Sequence, residues 1–155
     1  MSGKIEEILI CENAGEELLQ KENASLVRGK GIDGDRYFHK KGTFSEALKD
    51  KGDFEVTLIE IEEINAFNTI SGLGYGSSEF RRNLVTSGIK LNELVGKEFT
   101  VGNVALYGVR LCEPCAHLAK LLGQTVMEHM IHKAGLRAIV KASGNIRVGC
   151  DIAQC

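Results

Sequence analysis

Short stretches in which apolar and polar residues alternate recur along the chain and predict a fold made mainly of β-strands. Turn residues, glycine above all, separate these stretches, as is usual between strands. Residues 98–101 and 103–109 are typical of a hairpin that turns at Gly102-Asn103. The complete set of predicted strands is 4–11, 54–59, 80–86, 98–101, 103–109, 136–141 and 145–152.

Other stretches place apolar residues at helical spacing. Residues 60–69 predict a short helix through Ile61, Ile64 and Phe67, and residues 91–95 predict one helical turn. From Cys115 onward a longer apolar face predicts one helix, or two that break at Gly123. That face consists of Leu118, Ala119, Leu122, Val126 and Met130. The three glycines of residues 71–78 predict a mobile loop, and the polar stretch that ends at Lys30 is left unassigned.

Composition and charge restrict the class of protein. The chain has 155 residues, enough for one domain over 1–155 that buries roughly 68–70% of its unfolded surface. Its formal net charge is −2, without a long block of one sign, which argues against nucleic acid or a membrane as partner. Residues 1–10 lack the apolar run of a signal peptide, and no stretch approaches the ~18 apolar residues of a spanning helix. We therefore expect a cytoplasmic protein.

The sequence Cys112-Glu113-Pro114-Cys115 contains the only proline of the chain and directly precedes the longest helical pattern. Proline is favoured in the first turn of a helix, so Cys115 is expected near a helix N-terminus. Free amide groups and the helix dipole favour a thiolate there, which is both a nucleophile and a soft metal ligand.

The cysteines also allow other interpretations. Five cysteines are an odd number in a chain that folds without bridges, so thiols are favoured over a disulfide framework. Cys112 and Cys115 could form half of a zinc site with Cys150 and Cys155, or a thioredoxin-type redox pair. Cys112 could equally be buried and inert, Cys11 is expected in the core as a strand residue, and Cys155 at the surface.

Several short motifs occur in one order over most of the chain, and together they resemble the MOSC domain family, named for the C-terminal domain of molybdenum cofactor sulfurase. The chain differs from the family pattern at Tyr37, where histidine is common, and at Cys150, which separates Gly149 from Asp151. The motifs are Gly31-Ile32-Asp33-Gly34-Asp35-Arg36, Phe80-Arg81-Arg82-Asn83-Leu84-Val85-Thr86, Leu94-Val95-Gly96, Val101-Gly102-Asn103-Val104, Gly108, Arg110, Cys112-Glu113-Pro114-Cys115, Gly135-Leu136-Arg137-Ala138 and Gly144-Asn145-Ile146-Arg147-Val148-Gly149.

The resemblance implies a mixed β-barrel with peripheral helices and a site for the molybdenum cofactor (molybdopterin). It implies that Cys115 is the reactive residue, either as the molybdenum ligand or as a persulfide carrier, with Cys112 as a second catalytic candidate. Arginine suits the phosphate of the cofactor because it donates two parallel hydrogen bonds, and Asn83 could pair with the pterin edge. The arginine candidates are Arg36, Arg81, Arg82, Arg137 and Arg147. Asp33-Gly34-Asp35 could be a plain turn in which Asp35 pairs with Arg36 or a neighbouring strand.

Two functions follow from the resemblance. The first is a cofactor-binding protein that acts in cofactor sulfuration or handling, or as a molybdenum-dependent reductase of N-hydroxylated compounds, with an electron-donor or sulfur-donor protein as partner. The second is a non-catalytic persulfide carrier or cofactor chaperone that passes sulfur to a partner. The chain looks like a free-standing domain without an attached desulfurase, and its oligomeric state stays open.

Overall fold

The computed structural model describes residues 2–13, 16–38, 55–72, 74–112 and 133–154. Alternating apolar positions form the strands there, and seven of them close into a mixed barrel in the order β1-β11-β7-β8-β9-β5-β6, with β2 added beside β1. The sequence prediction of a mainly β, MOSC-type barrel is confirmed. The strands are Ser2–Ile10 (β1), Leu19–Lys21 (β2), Asn23–Val27 (β3), Gly31–Ile32 (β4), Val56–Glu60 (β5), Leu84–Ser87 (β6), Glu98–Val101 (β7), Val104–Leu111 (β8), Leu136–Ala142 (β9), Gly144–Arg147 (β10) and Asp151–Gln154 (β11).

Strand β1 closes the barrel by changing partners along its length. Its beginning pairs antiparallel with β11, its middle with β6, and its end with β2. A register shift between Ile5 and Glu7 marks a bulge in its pairing with β6. The β5–β6 pair is parallel, and the other pairs of the barrel are antiparallel. A separate three-stranded sheet has the order β10-β3-β4.

Two apolar clusters lie on opposite faces of the barrel wall. The inner cluster fills the barrel with alternate residues of its strands, for example Leu136, Ala138 and Val140 of β9. The outer cluster lies between the wall and helix α1 (Ile61–Ser71), which contributes Ile64 and Phe67. Because alternate residues of a strand face opposite sides, polar residues between the core positions must lie on the outer face.

Most predicted elements are present where the structure describes them. Helix α1 matches the prediction for 60–69, and Leu91–Leu94 forms a single 3₁₀ turn. The hairpin of β7 and β8 turns at Gly102, whose φ is +56°. In the glycine-rich stretch Ser71 ends α1, and the described residues after it are irregular until the 3₁₀ turn Ser77–Phe80 begins. The predicted helix after Cys115 lies outside the described residues.

Two predicted strands are wrong in extent. Residues 145–152 were expected to form one strand, but a turn at 148–150 divides them into β10 and β11, which belong to different sheets. Residues 80–86 were also expected to be extended throughout. Instead Phe80 ends a 3₁₀ turn, and Arg81 adopts a left-handed conformation before β6 begins at Leu84. No helix within the described ranges is both long and apolar enough to cross a membrane.

Two glutamates are buried in the barrel wall and accept backbone hydrogen bonds. The Glu55 carboxylate accepts from the Val140 N–H at 2.8 Å, and the Glu60 carboxylate from the Leu91 N–H at 3.3 Å. Removal from water disfavours the charged form, so burial raises the pKa of both carboxyls, although the hydrogen bonds oppose the change. Keeping these groups ionised at neutral pH therefore costs folding free energy.

We predict that Glu55→Gln makes stability less dependent on pH. A carboxyl with a raised folded-state pKa favours folding most below its unfolded pKa, and this contribution is lost as the pH rises through the folded value. Urea unfolding at pH 5 and pH 8 should show that the wild type loses more stability between these values than Glu55→Gln, whose amide oxygen still accepts from Val140. The exposed Glu98 supplies the control, Glu98→Gln. Equal losses in the wild type and Glu55→Gln would contradict the assignment.

Gly135 allows β9 to begin directly against β5. Its φ is +113°, and a Cβ built there would lie 2.0 Å from the carbonyl oxygen of Leu58. The Gly135 carbonyl also accepts the Cys112 N–H at 2.8 Å, which fixes the end of β8 to the start of β9. No side chain fits here without movement of the backbone of β5.

We predict that Gly135→Ala destabilises the protein by about 3 kcal/mol or more, because it adds a backbone clash to an unfavourable φ. Gly96 is the matched control, since its φ is +76° but a Cβ there would meet nothing within 4 Å. Gly96→Ala should lower the free energy of unfolding only by the cost of placing alanine in the left-handed conformation, about 1–2 kcal/mol. Urea unfolding of both variants measures the difference, and equal costs would show that the approach of Gly135 to Leu58 does not constrain the fold.

Candidate functional site

The strand register brings several of the predicted site residues onto one outer face of the barrel. Arg137 of β9 lies between the core residues Leu136 and Ala138 and therefore faces outward. Its register partners are Thr57 of β5 and Arg110 of β8. Cys112 follows Arg110 by two residues, so strand alternation places it on the same face. On the other side of Arg137 the row continues through Thr57 to Asn83, which bonds to Thr57. We call this row the polar stripe; its members are Asn83, Thr57, Arg137, Arg110 and Cys112.

Asn83 joins three strands at one end of the polar stripe. Its side-chain oxygen accepts from both the N–H and the hydroxyl of Thr57, each at 3.1 Å, and its amide group donates to the Leu9 carbonyl at 3.1 Å. The side chain is fully buried. These bonds connect β5 and β1 through the residue that precedes β6. They engage both the oxygen and the NH2 group of the amide that was predicted to pair with a pterin edge.

Asp35 and Arg36 form a buried ion pair beside the end of β1. The Arg36 guanidinium donates to the Asp35 carboxylate at 3.0 Å, and the two residues are 3% and 0% exposed. Asp35 also accepts the N–H groups of Cys11 and Tyr37 at 3.3 and 3.2 Å. The expected pairing of Asp35 with Arg36 is confirmed. Burial raises the pKa of the Asp35 carboxyl, whereas the charge of Arg36 and these N–H donors lower it.

Arg36 and Arg81 converge on the thiol of Cys11. One nitrogen of each guanidinium lies 3.7 Å from Cys11 Sγ, and the thiol in turn lies 3.2 Å from the Asn13 carbonyl oxygen. Arg81 also donates to the carbonyl of Glu16. Cys11 is 4% exposed, which agrees with the expected core position, but its sulfur also forms part of a polar network.

Arg82 connects this region to the start of β9. Its guanidinium donates to the carbonyls of Ala134 and Phe80 at 2.9 and 3.3 Å. Ala134 precedes Gly135, whose carbonyl holds the Cys112 N–H. We call Arg36, Arg81 and Arg82 the arginine cluster. Residues 80–86 were predicted to form a strand, but Arg81 and Arg82 precede β6, so strand alternation does not set the directions of their side chains.

An aromatic group holds the segment that carries Arg81 and Arg82. Phe80 packs edge-on against Phe67 of α1 and against Tyr75, with ring centroids 5.6 and 6.5 Å apart. The side chain of Asn68 bonds to the backbone of Tyr75 in both directions, at 2.9 and 3.1 Å. The outer cluster thereby fixes Phe80 and, with it, the position of Arg81 and Arg82, which directly follow it in the chain.

Arg147 lies apart from the other arginine candidates. It is exposed at the end of β10 and lines an open cavity of about 600 Å³ together with Lys4, Cys150 and Asp151. Lys4 is near the start of β1 and Cys11 just past its end, seven residues or roughly 20 Å along the strand. The structure therefore groups Arg36, Arg81, Arg82 and Arg137 but not Arg147.

The cysteines are distributed over distant parts of the barrel. Cys112 is 2% exposed and follows β8, whereas Cys150 lies beside Gly102, before β8 begins. The zinc alternative required these two to be neighbours. In the described part of the chain no three His, Cys, Asp or Glu side chains are arranged to hold a metal ion. Cys115, the predicted metal ligand, and Cys155 lie outside the described residues.

Three members of these networks were not among the sequence candidates. Thr57 and Arg110 lie in the polar stripe because of their strand register, and Cys11 contacts two arginines that are 25 and 70 residues away in sequence. The spacing of Arg110 and Cys112, two residues apart in a strand, is a signal that could have found Arg110. No local pattern identifies the other two.

Comparisons with known proteins agree with this architecture. The MOSC domain family model matches residues 34–153, and no curated protein sequence matches the chain. The crystal structure of the YuaD protein from Bacillus subtilis superposes with a TM-score of 0.84 at 20% identity, over 98% of this chain and 94% of that one.

Two structures of YiiM have the same fold. For YiiM from Geobacillus stearothermophilus the TM-score is 0.73 at 12% identity, over 99% of this chain and 75% of that one. For YiiM from Escherichia coli it is 0.69 at 16% identity, over 98% and 69%. Identities this low show the fold alone, whereas the family model covers most of the sequence. The closed barrel, the ordered motifs and the match over residues 34–153 together show that the chain belongs to the MOSC domain family.

Proposed function

We propose that this protein binds the molybdenum cofactor along the outer face of its barrel, with the metal toward the cysteines after β8 and the phosphate toward the arginines. The observation that carries the proposal is the polar stripe, in which strand register pairs Arg137 with Thr57 and Arg110. Hydrogen bonds join Asn83 to Thr57 at one end of this row and Cys112 to Gly135 at the other. Arg36 and Arg81 of the arginine cluster lie beyond Asn83, near the end of β1, whereas Arg82 reaches back to Ala134 at the start of β9.

The donor groups fit the two ends of the cofactor. Thiolates are soft ligands that suit a metal held by sulfur, and guanidinium groups bind phosphate through parallel hydrogen bonds. Three strand spacings separate β8 from β6, roughly 14 Å around the barrel. The row is thus suited to an elongated ligand with a metal at one end and an anion at the other.

Arg110 and Arg137 place two guanidinium groups in the middle of the row. They are direct register partners on adjacent strands. Guanidinium groups on neighbouring strands can bond to one anionic group together, so this pair is the proposed contact for an anionic part in the middle of the ligand.

Cys115 is the proposed metal ligand or sulfur carrier. It follows Cys112 by three residues, and three residues of fully extended chain span at most about 11 Å. Covalent geometry alone thus keeps Cys115 close to the cysteine end of the polar stripe. Cys112 itself is buried and tied to Gly135 through its N–H, which suits support of the site better than exposed chemistry.

The proposed activity is the reduction of N-hydroxylated compounds or the sulfuration and handling of the cofactor. When bound, the cofactor supplies two-electron redox chemistry and transfers oxygen or sulfur at its metal. The protein contributes binding and orientation: Arg81, Arg82, Arg110 and Arg137 hold the anionic parts, and Cys115 fixes the metal end. An electron-donor or sulfur-donor protein in the cytoplasm would complete either reaction.

We predict that wild-type protein from a host that makes the cofactor contains near-equal amounts of molybdenum and protein, and that Cys115→Ser loses most of the metal. Metal analysis and pterin fluorescence measure the two parts of the cofactor separately. Cys150→Ser is the matched control, because that cysteine lies beside Gly102 at the other end of β8. Retention of molybdenum by Cys115→Ser would contradict the role of Cys115.

The same preparations decide between cofactor binding and sulfur carriage. A persulfide on Cys115 would appear as one added sulfur in the intact mass, without bound metal or pterin. That result would overturn the proposal in favour of a carrier.

We also predict that Arg137→Gln retains the cofactor less well, with a dissociation constant raised roughly 10- to 100-fold. Loss of one charge-assisted hydrogen bond costs about 1.5–3 kcal/mol, and each 1.4 kcal/mol is a factor of ten. Titration of cofactor-free protein with released cofactor measures the change. Arg28→Gln is the control because Arg28 is exposed and its backbone bonds to Ser143, beyond the distal end of β9. Equal cofactor affinities for Arg137→Gln and Arg28→Gln would show that the polar stripe is not part of the binding site.

A further inference from the structure

Arg81 is the one non-glycine residue with a positive φ in the described part of the chain, at +63°. This conformation is unfavourable for an L-residue, whereas glycine adopts it freely. Its N–H donates to the Ser78 carbonyl at 3.1 Å, closing the 3₁₀ turn. A turn alone would be better served by glycine, so the arginine side chain must be what this position requires.

Arg36 holds the carbonyl of this strained residue. Its second terminal nitrogen donates to the Arg81 carbonyl oxygen at 3.1 Å, while its first bonds to Asp35 at 3.0 Å. The guanidinium also lies over the ring of Tyr37, 4.6 Å from the centroid. At 3% exposure, Arg36 is fixed on several sides and turned toward the backbone of Arg81.

We propose that Asp35 and Arg36 are positioning residues that keep Arg81 in its left-handed conformation and so direct its guanidinium toward the bound anion. This inference rests on the proposed function for its ligand, and on the contacts above for its geometry. Asp35 orients Arg36, Arg36 holds the Arg81 carbonyl, and the backbone of Arg81 sets the direction of its side chain.

Burial separates the two roles within the arginine cluster. Arg81 and Arg82 are half-buried and retain surface that a ligand can reach, whereas Arg36 is enclosed. Arg36 must therefore act mainly through Arg81. A lysine at position 36 would still neutralise Asp35, but its one nitrogen lacks the planar fork by which Arg36 bonds to Asp35 and to the Arg81 carbonyl from two separate nitrogens.

The first experiment is a double-mutant cycle on the dissociation rate of the cofactor, measured as the molybdenum that stays with purified holoprotein after dilution. Arg36→Lys should speed dissociation about tenfold, and Arg81→Ala at least tenfold. The double variant should lose cofactor no faster than Arg81→Ala alone, because Arg36 acts through Arg81. Arg28→Lys provides the control for a change of surface arginine. Multiplied effects in the double variant would mean that Arg36 binds the ligand itself and would overturn the proposal.

The second experiment does not depend on cofactor binding. Crystal structures of the wild type and Arg36→Lys report φ of residue 81 directly. The proposal expects that φ leaves the positive region in the variant, and a value that stays near +63° would overturn it. If the wild type binds no cofactor, the proposed function fails, yet this measurement still decides the role of Arg36.

A further variant covers the case in which Arg36→Lys does not fold. Asp35→Asn combined with Arg36→Gln removes both charges together and leaves no unpaired buried ion. The same two readouts apply to it. The φ angle of residue 81 should again leave the positive region, and a φ that stays near its wild-type value would overturn the proposal.

Discussion

Closure of the barrel through β1 is the constraint on which the other features depend. The strand pairs with β11 near its start and with β6 farther along. It therefore joins the two strands that would otherwise be the opposite edges of the sheet. Closure gives every strand an inner and an outer face. The inner face is filled by one apolar cluster, and polar residues of the alternating pattern are thereby presented on the outer face.

The outer face is not uniform. One part is covered by α1 and the outer apolar cluster, and the adjoining part carries the polar stripe. The boundary lies at Asn83, whose side chain bonds to the backbone of Leu9, and at Cys11, which packs in the outer apolar cluster while its sulfur faces polar groups. A rigid support thus lies directly beside the proposed binding surface, which is the arrangement that a pre-organised site requires.

The sequence predicted the elements better than it predicted their ends or their neighbours. Helix α1 and the β7–β8 hairpin have strong local signals, namely the spacing of Ile61, Ile64 and Phe67 and the turn at Gly102. The segment from Phe80 to Asn83 does not, because its left-handed residue is an arginine held by Arg36 from a distant part of the chain. The break near Cys150 depends in the same way on tertiary bonds, from Ile5 and Gly149.

The sequence named candidate residues but not their arrangement. The resemblance to a family supplied Arg36, Arg81, Arg82, Asn83 and Arg137 as candidates, and strand register and hydrogen bonds connect them in the structure, with Arg36 and Asn83 buried. The resemblance could not distinguish these residues from Arg147, which also lies in a family motif but is placed near the opposite end of β1, beside Lys4. Such distinctions depend on strand register, since Thr57 and Arg110 join Arg137 only through pairing across β5, β9 and β8.

The pairing of β1 with β11 also has a consequence for how the chain folds. Lys4 and Asp151 are register partners and form an ion pair at 2.7 Å, although 147 positions separate them in sequence. Contacts between the two ends of a chain carry a large loop-closure entropy and slow the folding of β-rich proteins. Local hairpins such as β7–β8 are free to form early, whereas the barrel closes only when the first and last strands meet. The closed barrel that supports the polar stripe is therefore completed late, when β1 and β11 pair.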